Sequence, residues 1–126
     1  MTFTKPNGKR RVVVTGAGML SALGRTWNDA ASKLKEKKNL VEYMTDWDQY
    51  DRMNTRLACP YKEELPKFPR KKIRGMGRVA LLSLVATDDA LRMAGLVDAE
   101  GNPDSEIQNG RTGIAYGCCM GSMQAL

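Results

Sequence analysis

The order of patterns along the chain predicts an α/β fold built on a parallel sheet. Three observations carry that expectation. A β-branched run over residues 11–15, RVVVT, leads directly into the small-residue loop that begins with Gly16. Apolar residues at helical spacing fill residues 73–94, and a second strand-like run, RTGIAYG, ends on Gly117 before CCMGS opens a further turn. Strand, helices, strand and the start of another helix, in that order, are how a βαβ architecture begins.

The elements follow in sequence. Residues 1–9, MTFTKPNGK, are polar and predict a flexible tail. The buried-strand pattern of 11–15 comes next. Thr26 is placed to cap a first helix, with Asp29 three residues later where a capping-box acid belongs. Trp27, Ala30, Ala31 and Leu34 share one face of that helix, and the cations Lys35, Lys37 and Lys38 suit the negative end of its dipole near a stop at 37 or 38. Residues 39–69 have neither helical nor strand period. NLVEYM reads as a short strand, and Pro60, Pro66 and Pro69 rule out a continuous helix through the rest, leaving a long excursion packed on the body by Trp47, Tyr50 and Leu57. Over 73–94 the set Ile73, Met76, Val79, Leu82, Val85 and Ala86 is helical, and Gly95 stands where a C′ glycine should. VALLSLVA is apolar nearly all round, so this helix requires cover on more than one side. DAEGNPDSEIQNG then reads as a polar loop before the second strand.

Composition removes several classes of function. The chain has 126 residues, enough for one domain at most, and its 42% hydrophobic content permits a packed core. It contains no apolar run of about eighteen residues and no apolar segment near its start, so neither a membrane span nor a signal peptide is expected, and a cytoplasmic setting follows. Three cysteines, Cys59, Cys118 and Cys119, make no disulfide framework. With no histidine in the chain, a Cys/His metal site and a Ser-His or Cys-His nucleophile pair are both excluded, and no metal is expected.

Charge is distributed unevenly. The net charge is +6, and from Lys67 to Arg78 there are six basic residues and no acid, whereas residues 88–106 carry six acids against Arg92 alone. The positive field is therefore local, and an acidic partner docking on the middle segment is the natural hypothesis beside that of a solvated helix start.

The glycine loop raises a nucleotide question. Gly16 and Gly18 match the first two positions of a dinucleotide fingerprint, but Ser21 occupies the third, and no lysine between Arg11 and Lys33 could serve a P-loop. A tight turn leaving a buried strand accounts for the same residues.

Taken together, RRVVVTGAGMLSALG, RKKIRGMGRVALLSLVATDDALRMAGL and GRTGIAYGCCMGS stand in the order and spacing of a β-ketoacyl-acyl carrier protein synthase, and the chain resembles the N-terminal part of the synthase II type. The resemblance implies the thiolase-like layered fold, of which 1–126 would be a partial N-terminal half. It implies an acyltransferase of fatty-acid or polyketide-type chain elongation, which condenses malonyl-carrier protein with an acyl-enzyme thioester. The family's nucleophilic cysteine and two histidines would lie beyond Leu126, so no catalytic residue is expected within the chain and a fragment by itself would be inactive. Cys118 and Cys119 match a turn where the family carries small residues. Met120 falls on the position that gates the acyl-chain pocket in synthase II enzymes. Arg70, Lys71, Lys72 and Arg74 match a basic cluster on which the acidic acyl carrier protein docks, with Gly75 departing from the basic residue often found there. A homodimer, or a heterodimer with a related synthase, is implied for the full-length form, with no cofactor, nucleic acid or membrane. Two other readings fit parts of the sequence: a small nicotinamide-binding α/β domain, favoured by Gly16 and Gly18, and a non-catalytic module that binds a carrier protein.

Overall fold

The computed structural model describes residues 7–119 and 121–122. The first helix, α1, spans Trp27–Lys35. Thr26 caps it as expected: its hydroxyl accepts the Asp29 backbone N–H at 3.2 Å, which satisfies one of the donors every helix start leaves without an intrahelical partner. The helix stops two or three residues short of the expected end, where Lys37 takes a left-handed conformation, φ 54°.

The excursion over 39–69 contains a two-residue antiparallel ladder, β1 (Glu42–Tyr43) on β2 (Leu57–Ala58), with Tyr43 opposite Leu57. A 3₁₀ turn at Thr45–Gln49 lies between them. Asp48 holds this unit together, accepting from the Tyr43 hydroxyl at 2.5 Å and pairing with Arg56 at 2.9 Å. That bond to Asp48 is the leading reason the Tyr43 phenol is raised above its ordinary pKa. The NLVEYM segment is thus a strand, but its partner comes from within the excursion.

The helix expected over 73–94 divides in two. A single turn, α2, covers Arg70–Ile73, and the long helix α3 covers Arg78–Met93. The break is made by glycines. Gly75 sits at φ +81°, a left-handed conformation that L side chains disfavour, and Gly77 is the extended N-cap of α3. At the other end the predicted glycine stop is present as a full Schellman motif: Gly95 N–H donates to the Arg92 carbonyl at 3.0 Å and Leu96 N–H to the Leu91 carbonyl at 2.9 Å. The polar loop that follows carries one more turn, α4 (Ser105–Gln108), capped by the Asp104 carboxylate on the Glu106 N–H at 2.7 Å.

The two runs expected to form a parallel sheet carry no assigned strand and pair with nothing among the described residues, whose only sheet is the β1–β2 ladder. A parallel strand needs neighbours on both sides and cover on both faces, and here Val12 and Val14 are 92% and 89% exposed and Ile114 is 82% exposed. Of the described hydrophobic residues only Ala30 and Val85 are fully buried. Along α3 itself Val85 is buried, Leu81 and Leu82 are half-buried, and Leu84 is 38% exposed.

What fixes the N-terminal loop is its approach to α3. A Cβ built on Gly16 would overlap the Ala90 carbonyl oxygen and lie 3.0 Å from the Ala94 nitrogen, and one built on Gly18 would overlap the Ala86 carbonyl. Ala86, Ala90 and Ala94 form a small-residue stripe along one side of α3, and the loop backbone lies directly against it. Arg25 then clamps the far end of the loop to the same helix, its Nε and Nη2 each 2.6 Å from Asp89 in a bidentate pair that raises the guanidinium pKa further.

Gly18→Ala must push the loop off α3, and we expect it to destabilise the full-length protein by about 1–3 kcal/mol. Gly117→Ala, with nothing within 4 Å of the added Cβ, should stay within about 0.5 kcal/mol; a smaller loss for Gly18→Ala than for Gly117→Ala in thermal unfolding would contradict this packing. The 126-residue chain by itself should show helical circular dichroism without a cooperative melt, since each large aliphatic side chain left in water forgoes roughly 1.5–3 kcal/mol. A sharp melt with dispersed amide signals would refute that expectation.

Candidate functional site

The basic segment is built by the break at Gly75. α2 follows directly on Pro69, whose fixed φ of −56° starts a helical turn without needing an N–H. The Lys72 N–H closes the turn on the Pro69 carbonyl at 2.8 Å, and Met76 N–H returns to Ile73 at 2.9 Å. This short turn puts Arg70, Lys71 and Lys72 on the surface, with Arg74 beside them. None of these four forms an ion pair among the described residues, although the acids of 88–106 lie on the same chain. Several of those acids are engaged elsewhere: Asp89 with Arg25, and Asp88 with Arg92 at 2.8 Å. Asp98 accepts both the backbone and side-chain amides of Asn102, bonds that hold its carboxyl below the ordinary carboxylate range. Arg78, the last cation of the run, is turned away from the cluster and donates to the Tyr61 carbonyl at 3.0 Å. The result is an exposed patch of four unneutralised cations, a surface suited to an acidic partner.

The second feature is an apolar cavity of about 500 Å³ between α3 and residues 114–118 with 121–122, lined by Met76, Leu84, Ile114, Tyr116 and Cys118 among others. Met120, the expected pocket residue, lies outside the described residues. Cys118 and Cys119 are exposed free thiols, and with no histidine in the chain they have no imidazole base beside them. Nothing in the geometry brings either cysteine together with the basic patch.

The glycine loop proves to be a packing device. The faces of Gly16 and Gly18 that a dinucleotide would require are occupied by the backbone of α3. Next to them an apolar cavity of about 620 Å³ lies between Met19, Trp27 and Met93, with the Arg25–Asp89 pair on its wall. Sequence reasoning missed the partnership of the glycines with Ala86, Ala90 and Ala94. The signal was available as three alanines at four-residue spacing.

Comparison with known proteins agrees with this arrangement. A family profile described as the β-ketoacyl synthase N-terminal domain matches residues 9–126. Among curated proteins, 3-oxoacyl-[acyl-carrier-protein] synthase 2 of Synechocystis sp. is 32% identical over 124 residues, which cover 94% of this chain and 27% of that protein. Synthase 1 of Haemophilus influenzae is 28% identical over 90% of this chain and 26% of its own length. Nodulation protein E of Rhizobium leguminosarum is 33% identical over 74% of this chain and 23% of its own. The crystal structure of a β-ketoacyl synthase from Burkholderia phymatum superposes with a TM-score of 0.75 at 41% identity, covering 83% of this chain and 25% of that one. The chain thus spans about a quarter of the length of these relatives. With the profile matched almost end to end, and a solved synthase sharing its path at 41% identity, the chain belongs to the β-ketoacyl synthase family and corresponds to the N-terminal part of its thiolase-like fold.

Proposed function

We propose that this chain is the N-terminal part of a condensing enzyme that lengthens an acyl chain on a carrier protein. The observation that carries the reading is the match to 3-oxoacyl-[acyl-carrier-protein] synthases and a solved β-ketoacyl synthase along nearly all of its length. In the reaction implied, a cysteine thiolate takes the acyl group from one thioester, malonyl-carrier protein loses carbon dioxide, and the resulting carbanion attacks the acyl-enzyme, returning the thiolate. The groups for these steps belong to other parts of such a synthase, since this chain has no histidine. Its own contribution is to scaffold and to bind.

Binding is the role of the patch. Arg70, Lys71, Lys72 and Arg74 attract the acidic carrier protein, steering it by complementary charge and leaving its thioester arm to find the pocket. Support comes from their exposure and the absence of ion-pair partners for them among the described residues. Met120 lines the acyl pocket, where a flexible thioether suits an adaptable apolar wall. The full-length enzyme works as a homodimer, or as a heterodimer with a related synthase, in the cytoplasm. No helix among the described residues is long and apolar enough to cross a membrane.

In the full-length protein, the double reversal Lys71→Glu/Arg74→Glu should raise KM for carrier-bound substrate about tenfold, leave kcat little changed and flatten the dependence of KM on salt. Unchanged kinetics would remove the docking role. The 126-residue chain incubated with acyl- and malonyl-carrier protein should give neither condensation product nor stable acyl-enzyme; labelled acyl transfer to Cys118 or Cys119 would overturn their reading as bystanders.

A further inference from the structure

The start of α3 has a deficiency that another part of the chain corrects. Its N-cap is Gly77, which has no side chain to accept a hydrogen bond, so the first N–H groups of a sixteen-residue helix depend on outside acceptors. The Val79 N–H donates to the hydroxyl of Ser122 at 2.8 Å, across 43 positions of sequence. One helical turn further on, the Tyr116 hydroxyl donates to the Ser83 carbonyl at 3.1 Å, beside the Thr87 hydroxyl, which donates to the same carbonyl at 2.7 Å. Between these two anchors the Gly121 N–H is directed at Cys118 Sγ at 3.1 Å.

We propose that Ser122 is a positioning residue: it caps α3 in trans and, together with Tyr116, holds the chain at Cys118 and Gly121 against that helix, thereby setting which acyl chains the neighbouring pocket admits. The selectivity half of the proposal rests on the synthase reading, because only the family resemblance places residue 120 at the pocket. A turn held at both ends by hydrogen bonds to a rigid helix has few alternative positions, and a turn released at one end gains them. The apolar cavity beside it, about 500 Å³ and bordered by Met76, Leu84 and Ile114, is the space such movement would enlarge or close. The serine is required for its oxygen, so threonine can replace it and alanine cannot.

The test uses the full-length protein and its Ser122→Ala, Ser122→Thr and Tyr116→Phe variants. Ser122→Ala should speed amide exchange at Val79 about fivefold and raise the ratio of kcat/KM for long over short acyl-carrier substrates at least about threefold. Malonyl decarboxylation, which does not use the acyl pocket, should stay within about twofold, since the clamp acts on acyl-chain admission alone. Ser122→Thr should restore both exchange and selectivity. Tyr116→Phe, which keeps the ring and removes the other anchor, should shift selectivity in the same direction, and it decides the matter if Ser122→Ala fails to fold. Unchanged Val79 exchange in Ser122→Ala would overturn the cap, and faster exchange without a change in chain-length ratio would overturn the clamp's role in selectivity. If the unsubstituted protein forms no condensation product, the synthase reading falls and selectivity with it, while the exchange comparison still decides the cap.

Discussion

The structure depends on one close approach: the backbone of residues 16–18 lying against the alanine stripe of α3. Backbone-to-backbone contact of this kind is possible only where both surfaces lack bulk, so glycine on the loop and alanine on the helix are two halves of one requirement. It orients everything upstream of α1. The strand-like run 11–15 leaves the contact in one direction, and the loop to α1 leaves in the other, tied down by the Arg25–Asp89 pair. That pair is only partly buried, its side chains 35% and 25% exposed, so solvent screens it in part and its value lies more in geometry than in energy. The helix must also stay where the loop finds it, which its two ends ensure: Gly95 closes one with a Schellman motif, and Ser122 supplies the other with an acceptor.

Much of this was legible because it is local. The Thr26–Asp29 cap, the Gly95 stop and the proline-bounded excursion all follow from residues within a few positions of one another, where backbone preferences dominate. The division of the helix expected over 73–94 was only half legible. Gly75 and Gly77 weaken a helix wherever they stand, but whether a helix bends, continues or stops at them depends on packing that no local pattern records. Asp104 was overlooked inside a polar loop although Asp-Ser-Glu is a serviceable helix start.

The two strand-like runs are a different case. VVV and IAY are strand-like by composition, yet a strand is completed only by its neighbours. The candidate site was read unevenly for the same reason. A run of cations without acids is visible in the sequence, and its exposure follows from charge. The bonds of Ser122 and Tyr116 to α3 join residues some thirty to forty positions apart, where nothing in the spacing announces them.

Gly75 separates two demands that look identical in a sequence. At Gly18 the obstacle to a side chain is room, whereas at Gly75 there is nothing within 4 Å of an added Cβ and the obstacle is handedness, φ +81°. A residue of the opposite chirality is at ease in that conformation. Chemical synthesis with D-alanine at position 75 would therefore keep the break between α2 and α3 while narrowing the unfolded chain's choices, which favours the folded arrangement by about 0.4–1 kcal/mol on the scale of comparable glycine replacements. The turn that presents the basic patch could in this way be stiffened by a mirror-image building block, without adding a contact.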